Sequence, residues 1–89
     1  MITATVTGVD KRPSRFGGDF FYVYFKGIED GKSYRTCIYP KCRNFVNWAK
    51  IINRHEKGVS TTLSNLIVKN GTLIDADSMP KIIEGDKQV

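Results

Sequence analysis

One change of hydrophobic period near the middle of the chain constrains the fold most. Phe45, Trp48, Ala49 and Ile52 recur at i, i+3, i+4 and i+7, laying one apolar stripe along a helix, with Lys50, Asn53 and Arg54 off it. The spacing predicts a helix over residues 42–54, closing at His55-Glu56-Lys57-Gly58, where Gly58 supplies a C-terminal cap. Trp48 lies inside the stripe and is therefore expected in the core. Most of the remaining sequence alternates at period two, the signature of strands.

Before the helix, Thr3 to Val9 forms a first strand that sets Ile2, Ala4, Val6 and Gly8 against Thr3, Thr5, Thr7 and Val9. Residues 11–18, Lys-Arg-Pro-Ser-Arg-Phe-Gly-Gly, form a loop, since Pro13, Gly17 and Gly18 interrupt regular structure. A second strand covers 19–27. Glu29-Asp30-Gly31-Lys32 is a hairpin turn, and a third strand runs from Ser33 to Tyr39, where Pro40 stops it. After the helix, strand pattern resumes at Val59–Leu63. Leu66–Lys69 and Thr72–Ala76 then flank Asn70-Gly71, a strong hairpin signal, and Met79–Ile83 adds a short final strand.

Eighty-nine residues make one domain. It is expected over 1–83, with 84–89 a flexible C-terminal tail. Three strands, a helix and two strands is the layout of the OB-fold. The expected architecture is thus mainly β: a five-stranded, OB-fold-like Greek-key barrel with one helix between strands three and four. Closure into a barrel would remove the free sheet edges of so small a domain.

Charge narrows the partners. Fourteen Lys and Arg against nine Asp and Glu give a net +5, a balance suited to a polyanion. The basic residues concentrate between Lys11 and Lys57, whereas Asp75, Asp77, Glu84 and Asp86 cluster late. The N-terminus carries no basic stretch followed by an apolar one, and no apolar run approaches the roughly 20 residues of a membrane span. The expectation is a soluble cytoplasmic protein with no membrane partner, keeping Cys37 and Cys42 as thiols.

The second strand stands apart from the others. One face carries Phe21, Val23 and Phe25, and the other carries Phe20, Tyr22, Tyr24 and Lys26. A half-buried strand ordinarily opposes apolar to polar. Here the second face is aromatic with a cation at its end, suited to stacking bases and neutralising phosphates. Its neighbours fit that use. Lys11, Arg12, Arg15 and Phe16 lie on the preceding loop, Arg35 and Tyr39 on the third strand if Tyr34 and Ile38 point inward, and Lys41 just beyond it. Tyr22, Tyr24 and Tyr39 are the expected stacking rings. Arg12, Arg15 and Arg35 can pair with phosphate or stack, and Lys11, Lys26 and Lys41 supply charge. Phe16 serves equally well as a stacking ring or as a plug anchoring its loop, and Tyr24 or Tyr39 as a barrel-rim residue.

Other chemistries lack their residues. Cys37, Cys42 and His55 are too few and wrongly spaced for structural zinc. His55 has no orienting third group for nucleophilic catalysis, and Gly17-Gly18 lacks the pattern of a phosphate-cradling loop. No enzyme activity, metal or cofactor is expected.

With these residues in place, the chain resembles the small OB-fold single-stranded DNA-binding proteins of bacteriophages and other mobile elements. The resemblance rests on Arg15-Phe16-Gly17-Gly18-Asp19-Phe20-Phe21-Tyr22-Val23 and on Ile74-Asp75-Ala76-Asp77-Ser78-Met79-Pro80. It implies coating of single strands with little sequence specificity during replication or recombination, often as a homodimer. The chain departs from the bacterial homologues in showing no long Gly/Gln-rich tail and no acidic tip, since Gly85-Asp86-Lys87-Gln88-Val89 carries one acid and one base, so recruitment of partner proteins through such a tip is not expected. A dimer contact is expected on the Asn70-Gly71 hairpin, where a two-residue turn would set Val68 opposite Leu73 and Ile67 opposite Ile74. The competing readings are an RNA-binding OB-fold and a protein-interaction module, such as a small viral inhibitor or assembly factor, docking through the aromatic face.

Overall fold

The computed structural model describes residues 1–15 and 17–83. Phe16 and the expected tail at 84–89 lie outside the described residues. The chain runs β1 (Ile2–Pro13), β2 (Asp19–Gly27), β3 (Ser33–Ile38), α1 (Phe45–Glu56), β4 (Thr62–Leu66), β5 (Val68–Asn70), β6 (Leu73–Ile74) and β7 (Lys81–Ile82). The fold is mainly β, and its sheet curls into a half-barrel. The sheet has seven strands rather than the expected five, in the order β5-β6-β3-β2-β1-β4-β7.

The four stretches of strand pattern after the helix form four separate strands, two more than the expected barrel takes. Asn65 adopts φ 64° inside β4, a left-handed conformation that asparagine tolerates better than most residues. The pairing of β4 with β1 slips there, between Ile2↔Leu66 and Ala4↔Leu63. One residue later the chain leaves β1, passes Ile67, and continues as β5 on the far side of the sheet. The expected final strand at 79–83 shrinks to the β7 pair, which lies along β4. Neighbouring strands are antiparallel except β3 and β6, which run parallel at Arg35↔Leu73.

The hairpin at Asn70-Gly71 differs from the expected register. Asn70 pairs with Leu73 and Val68 with Ile74, so Gly71-Thr72 makes the turn and Lys69 is the extra residue of a bulge. The expected Val68–Leu73 and Ile67–Ile74 pairs do not form. Ile74 is buried and Ile67 exposed.

β1 and β2 form a ribbon much longer than the sequence predicts, pairing out to Pro13↔Asp19. The expected eight-residue loop reduces to a turn at 14–18, where Gly17 and Gly18 take φ of 93° and 72°. Lys11, Arg12 and Pro13 belong to β1. Pro13 is tolerated because β4 pairs with β1 only as far as Thr5, leaving the outer edge of the ribbon open there. A bulge between Val6 and Gly8 also reverses the alternation of β1. Ala4 and Val6 face the core before it, Val9 and Lys11 lie on that side after it, and Gly8, Asp10 and Arg12 turn outward.

α1 begins at Phe45 and extends two residues beyond the expected end. It closes as anticipated on Gly58, at φ 82°. The Gly58 N–H donates to the His55 carbonyl and the Val59 N–H to the Arg54 carbonyl, the paired bonds of a Schellman motif. The helix buries Trp48, Ile51 and Ile52 against Val23, Phe25, Ile38, Leu63, Leu66 and Ile74. Trp48 is fully buried, and its indole N–H donates to the Ala76 carbonyl at 2.9 Å. The segment after β6 is thereby held to the helix. The Asn44 amide also donates to the Ser78 carbonyl, and the Ser78 hydroxyl accepts from the Ile67 N–H.

Candidate nucleic-acid interface

The site is the outer face of β1, β2 and β3. On β2, Val23 and Phe25 are buried, so Phe20, Tyr22, Tyr24 and Lys26 point away from the core. Register places their neighbours. Tyr22 lies between Asp10 of β1 and Cys37 of β3, and Tyr24 between Gly8 and Arg35, while Phe20 faces Arg12. On β3, Tyr34, Thr36 and Ile38 are buried, which turns Arg35 and Cys37 outward; Tyr39, just beyond, is 43% exposed. The choice between Tyr34 and Tyr39 is thus resolved in favour of Tyr39. Tyr34 instead donates its hydroxyl to Asp30 at 2.5 Å beneath the sheet.

The rings form a continuous row. Phe20 stacks on Tyr39 with centroids 5.0 Å apart and planes 17° from parallel. Phe20 meets Tyr22 edge-to-face at 5.3 Å, and Tyr22 lies 6.3 Å from Tyr24. The last of these lies close over β1: a Cβ at Gly8 would meet the Tyr24 ring at 3.6 Å, an ordinary van der Waals contact.

Tyr22 is the centre of the arrangement. Arg12 from one side and Arg35 from the other each place the guanidinium carbon 5.9 Å from its ring centroid, within the range of cation–π attraction. Arg12 is further fixed by Asp10, whose Oδ2 accepts from Nε at 2.8 Å and pairs with a terminal nitrogen at 2.8 Å. The Asp10 hydrogen bond and charge raise the Arg12 pKa, so this arginine remains cationic in all ordinary conditions. The Tyr39 phenol is likewise raised, through its hydrogen bond with Cys37, and stays neutral.

Of the expected site residues, Arg12, Tyr22, Tyr24, Lys26, Arg35 and Tyr39 come together on this face. Lys41 sits just past the end of β3, beside Tyr39 in a cleft. Arg15 is exposed at the ribbon turn. Lys11 lies on the opposite face. It lines a hollow there with Phe21, Phe45 and Ile52, and its ammonium lies 3.4 Å from Asp19. Phe20, Asp10, Gly8 and Cys37 belong to the face although their sequence context singled out none of them as site residues. For Phe20 the strand alternation with Tyr22 was a sufficient signal.

The chain matches no protein-family model, no curated protein and no solved structure. Among the described residues, no three His, Cys, Asp or Glu side chains are grouped to hold a metal ion, and no helix is long and apolar enough to cross a membrane.

Proposed function

We propose that this chain binds single-stranded nucleic acid, DNA in the first instance, with little sequence specificity. The observation that carries the reading is Tyr22, half-buried at the centre of an aromatic row on the outer face with an arginine on either side. A base stacks on the ring while the Arg35 guanidinium, which has no carboxylate partner among the described residues, meets a neighbouring phosphate. Each base stacked in this way is worth about 1–3 kcal/mol, whatever its identity.

The connectivity supports an OB-fold frame for that surface. The first three strands form a meander, the helix follows β3, and β3 runs parallel to β6. Because a single residue separates β4 from β5, these read as one bent strand joining the two ends of the sheet. In that frame the proposed ligand crosses β2 and β3, the usual binding face of the fold. A role in replication or recombination follows from coating single strands.

The test is a fluorescence-anisotropy titration of labelled oligo(dT), single-stranded against duplex, with the parent and Tyr22→Ala. Tight single-strand binding that weakens about tenfold in the variant is the expected result. Equal affinity of parent and variant refutes the site. No binding to either form at low salt refutes the function and leaves the aromatic face as a protein-docking surface.

A further inference from the structure

At the Tyr39 end of the aromatic row the outer face descends into a cleft of about 500 Å³, within the roughly 300–1,000 Å³ of small-ligand sites. It lies between the end of β3, the turn of the ribbon and the segment after β6. Cys37, Cys42 and Ala76 provide apolar wall, and the Tyr39 ring that stacks on Phe20 also lines the cleft. The cleft is therefore continuous with the row rather than a separate hollow.

Two charged side chains line it, Lys41 and Asp77. Among the described residues neither makes an ion pair, with each other or with any third group. The segment carrying Asp77 is built to stay in place. The Ala76 carbonyl accepts from the Trp48 indole at 2.9 Å and from the Cys42 thiol at 3.5 Å, and the Asp77 N–H donates to the Asp75 carboxylate at 2.9 Å. The backbone at Ala76 and Asp77 is thus held in place, and the exposed Asp77 carboxylate lines the same cleft as the Tyr39 ring and the Lys41 ammonium.

We propose that this cleft takes one unstacked nucleobase of the bound strand and that it prefers guanine. This inference rests on the single-strand reading above and adds to it a base preference that ring stacking alone does not give. An ionised carboxylate only accepts hydrogen bonds. On its Watson–Crick edge guanine presents two adjacent donors, N1–H and the N2 amino group, which one carboxylate takes together. Adenine and cytosine each set a donor beside an acceptor, and thymine sets its one N–H between two carbonyls, so each meets Asp77 with at least one repulsive pair. Lys41 reaches the phosphate of the inserted nucleotide. Stacking against an aromatic wall with hydrogen bonds to the base edge is the general way a base is read once it leaves the stack.

The experiment compares oligo(dT) with the same oligomer carrying one central guanine, in parent and Asp77→Asn. The readout is the ratio of the two affinities within each protein. In the parent the guanine oligomer should bind about tenfold tighter, as one bidentate base contact provides. In Asp77→Asn the ratio should fall to about one, whatever the absolute affinities become. A parent that binds both oligomers equally overturns the pocket while leaving single-strand binding standing, whereas a parent that binds neither overturns the underlying function. A preference that persists in Asp77→Asn also overturns the assignment. Alkylation of Cys37 and Cys42 gives a second, independent measure: the guanine oligomer should slow it more than oligo(dT) at equal occupancy, and equal protection speaks against insertion.

Discussion

Asp10 is the carboxylate that β1 sets beside the aromatic row, and removing its charge is the sharpest test of how that face treats phosphate. Among the described residues, Arg15, Lys26, Arg35 and Lys41 have no carboxylate partner, whereas Arg12 is paired with Asp10 and Lys11 with Asp19 on the far side of the sheet. Four available cations, at about 0.7 per phosphate for single strands, give a slope of log affinity against log salt near −3. Asp10→Asn keeps the size of the side chain and an oxygen that can accept from Arg12. It removes the negative charge, and Arg12 becomes a fifth available cation. The slope should steepen by about 0.7. At low salt the variant should bind roughly fivefold tighter, the effect of removing one like charge about 4 Å from a phosphate in water-like surroundings. The advantage should fade as the screening length shortens toward about 8 Å at physiological salt. The fold should tolerate the change, because an exposed ion pair contributes little to stability. The assay is anisotropy with oligo(dT) over a salt series for the parent, Asp10→Asn, and Asp10→Asn combined with Arg12→Ala, the last of which should return to the parental slope. Parallel slopes for all three proteins would refute the phosphate role of Arg12. Weaker binding by Asp10→Asn would show that the carboxylate acts by aiming the guanidinium over Tyr22, and that the available charge was counted wrongly.

Two further outcomes follow from the geometry. Phe20 and Tyr39 are stacked on one another and so act as one platform: Phe20→Ala and Tyr39→Ala should each lose several-fold in oligonucleotide affinity, and the double variant little more than the weaker single, a non-additivity read from the mutant cycle. The turn before β3 should make stability depend on pH at both extremes. The Tyr34 hydroxyl, and after it the Lys32 N–H, hold the Asp30 carboxyl below its ordinary value. That contribution is complete above the unfolded carboxylate value of about 3.9 and is lost as pH falls through the lower folded value. The Tyr34 phenol is raised by the same hydrogen bond, so its share is complete below about pH 10 and lost as pH rises through the folded value. Thermal melts of Asp30→Asn should show both limbs flattened; limbs as steep as the parent's would assign the dependence elsewhere.

The faces of β2 were legible in the sequence because alternation is a property of the strand itself. Val23 and Phe25 go inward and Phe20, Tyr22 and Tyr24 outward as period two requires. Trp48 and the Gly58 cap were legible for the same reason, since helical spacing and a left-handed closing residue are local signals. What escaped depends on pairing between strands. The bulge at Val6/Gly8 carries Asp10 and Arg12 onto the aromatic face and Lys11 off it, and no residue of β1 alone announces it. Lys11-Arg12-Pro13 reads as loop by composition, yet it is ordered by the residues across from it, Phe21, Phe20 and Asp19. The turn at Gly71-Thr72 in place of Asn70-Gly71 is likewise fixed by the match of Val68 with Ile74 across the ribbon, which brings buried Ile74 inward.

The outer face also raises a question of stability that bears on its use. The buried cluster is supplied from the inner side of the sheet, by Val6, Val23, Phe25, Ile38, Leu63, Leu66 and Ile74 together with the helix residues Trp48, Ile51 and Ile52. None of Phe20, Tyr22, Tyr24 or Tyr39 belongs to it. On the inner side Phe21 of the ribbon and Phe45 of α1 pack against this cluster, so the outer rings are not required to hold the ribbon down. Their mutual contacts do something else. Edge-to-face and stacked packing, reinforced by two arginines and the Asp10 bridge, limits the rotamers each ring can visit. A ring already fixed when a base arrives loses less entropy on stacking than a free one, and that saving goes into affinity. On this argument the face is preorganised rather than merely exposed. Phe20→Leu, which keeps apolar bulk but removes the ring supporting Tyr39 and Tyr22, should therefore weaken oligonucleotide binding several-fold while leaving the melting temperature within a few degrees of the parent's.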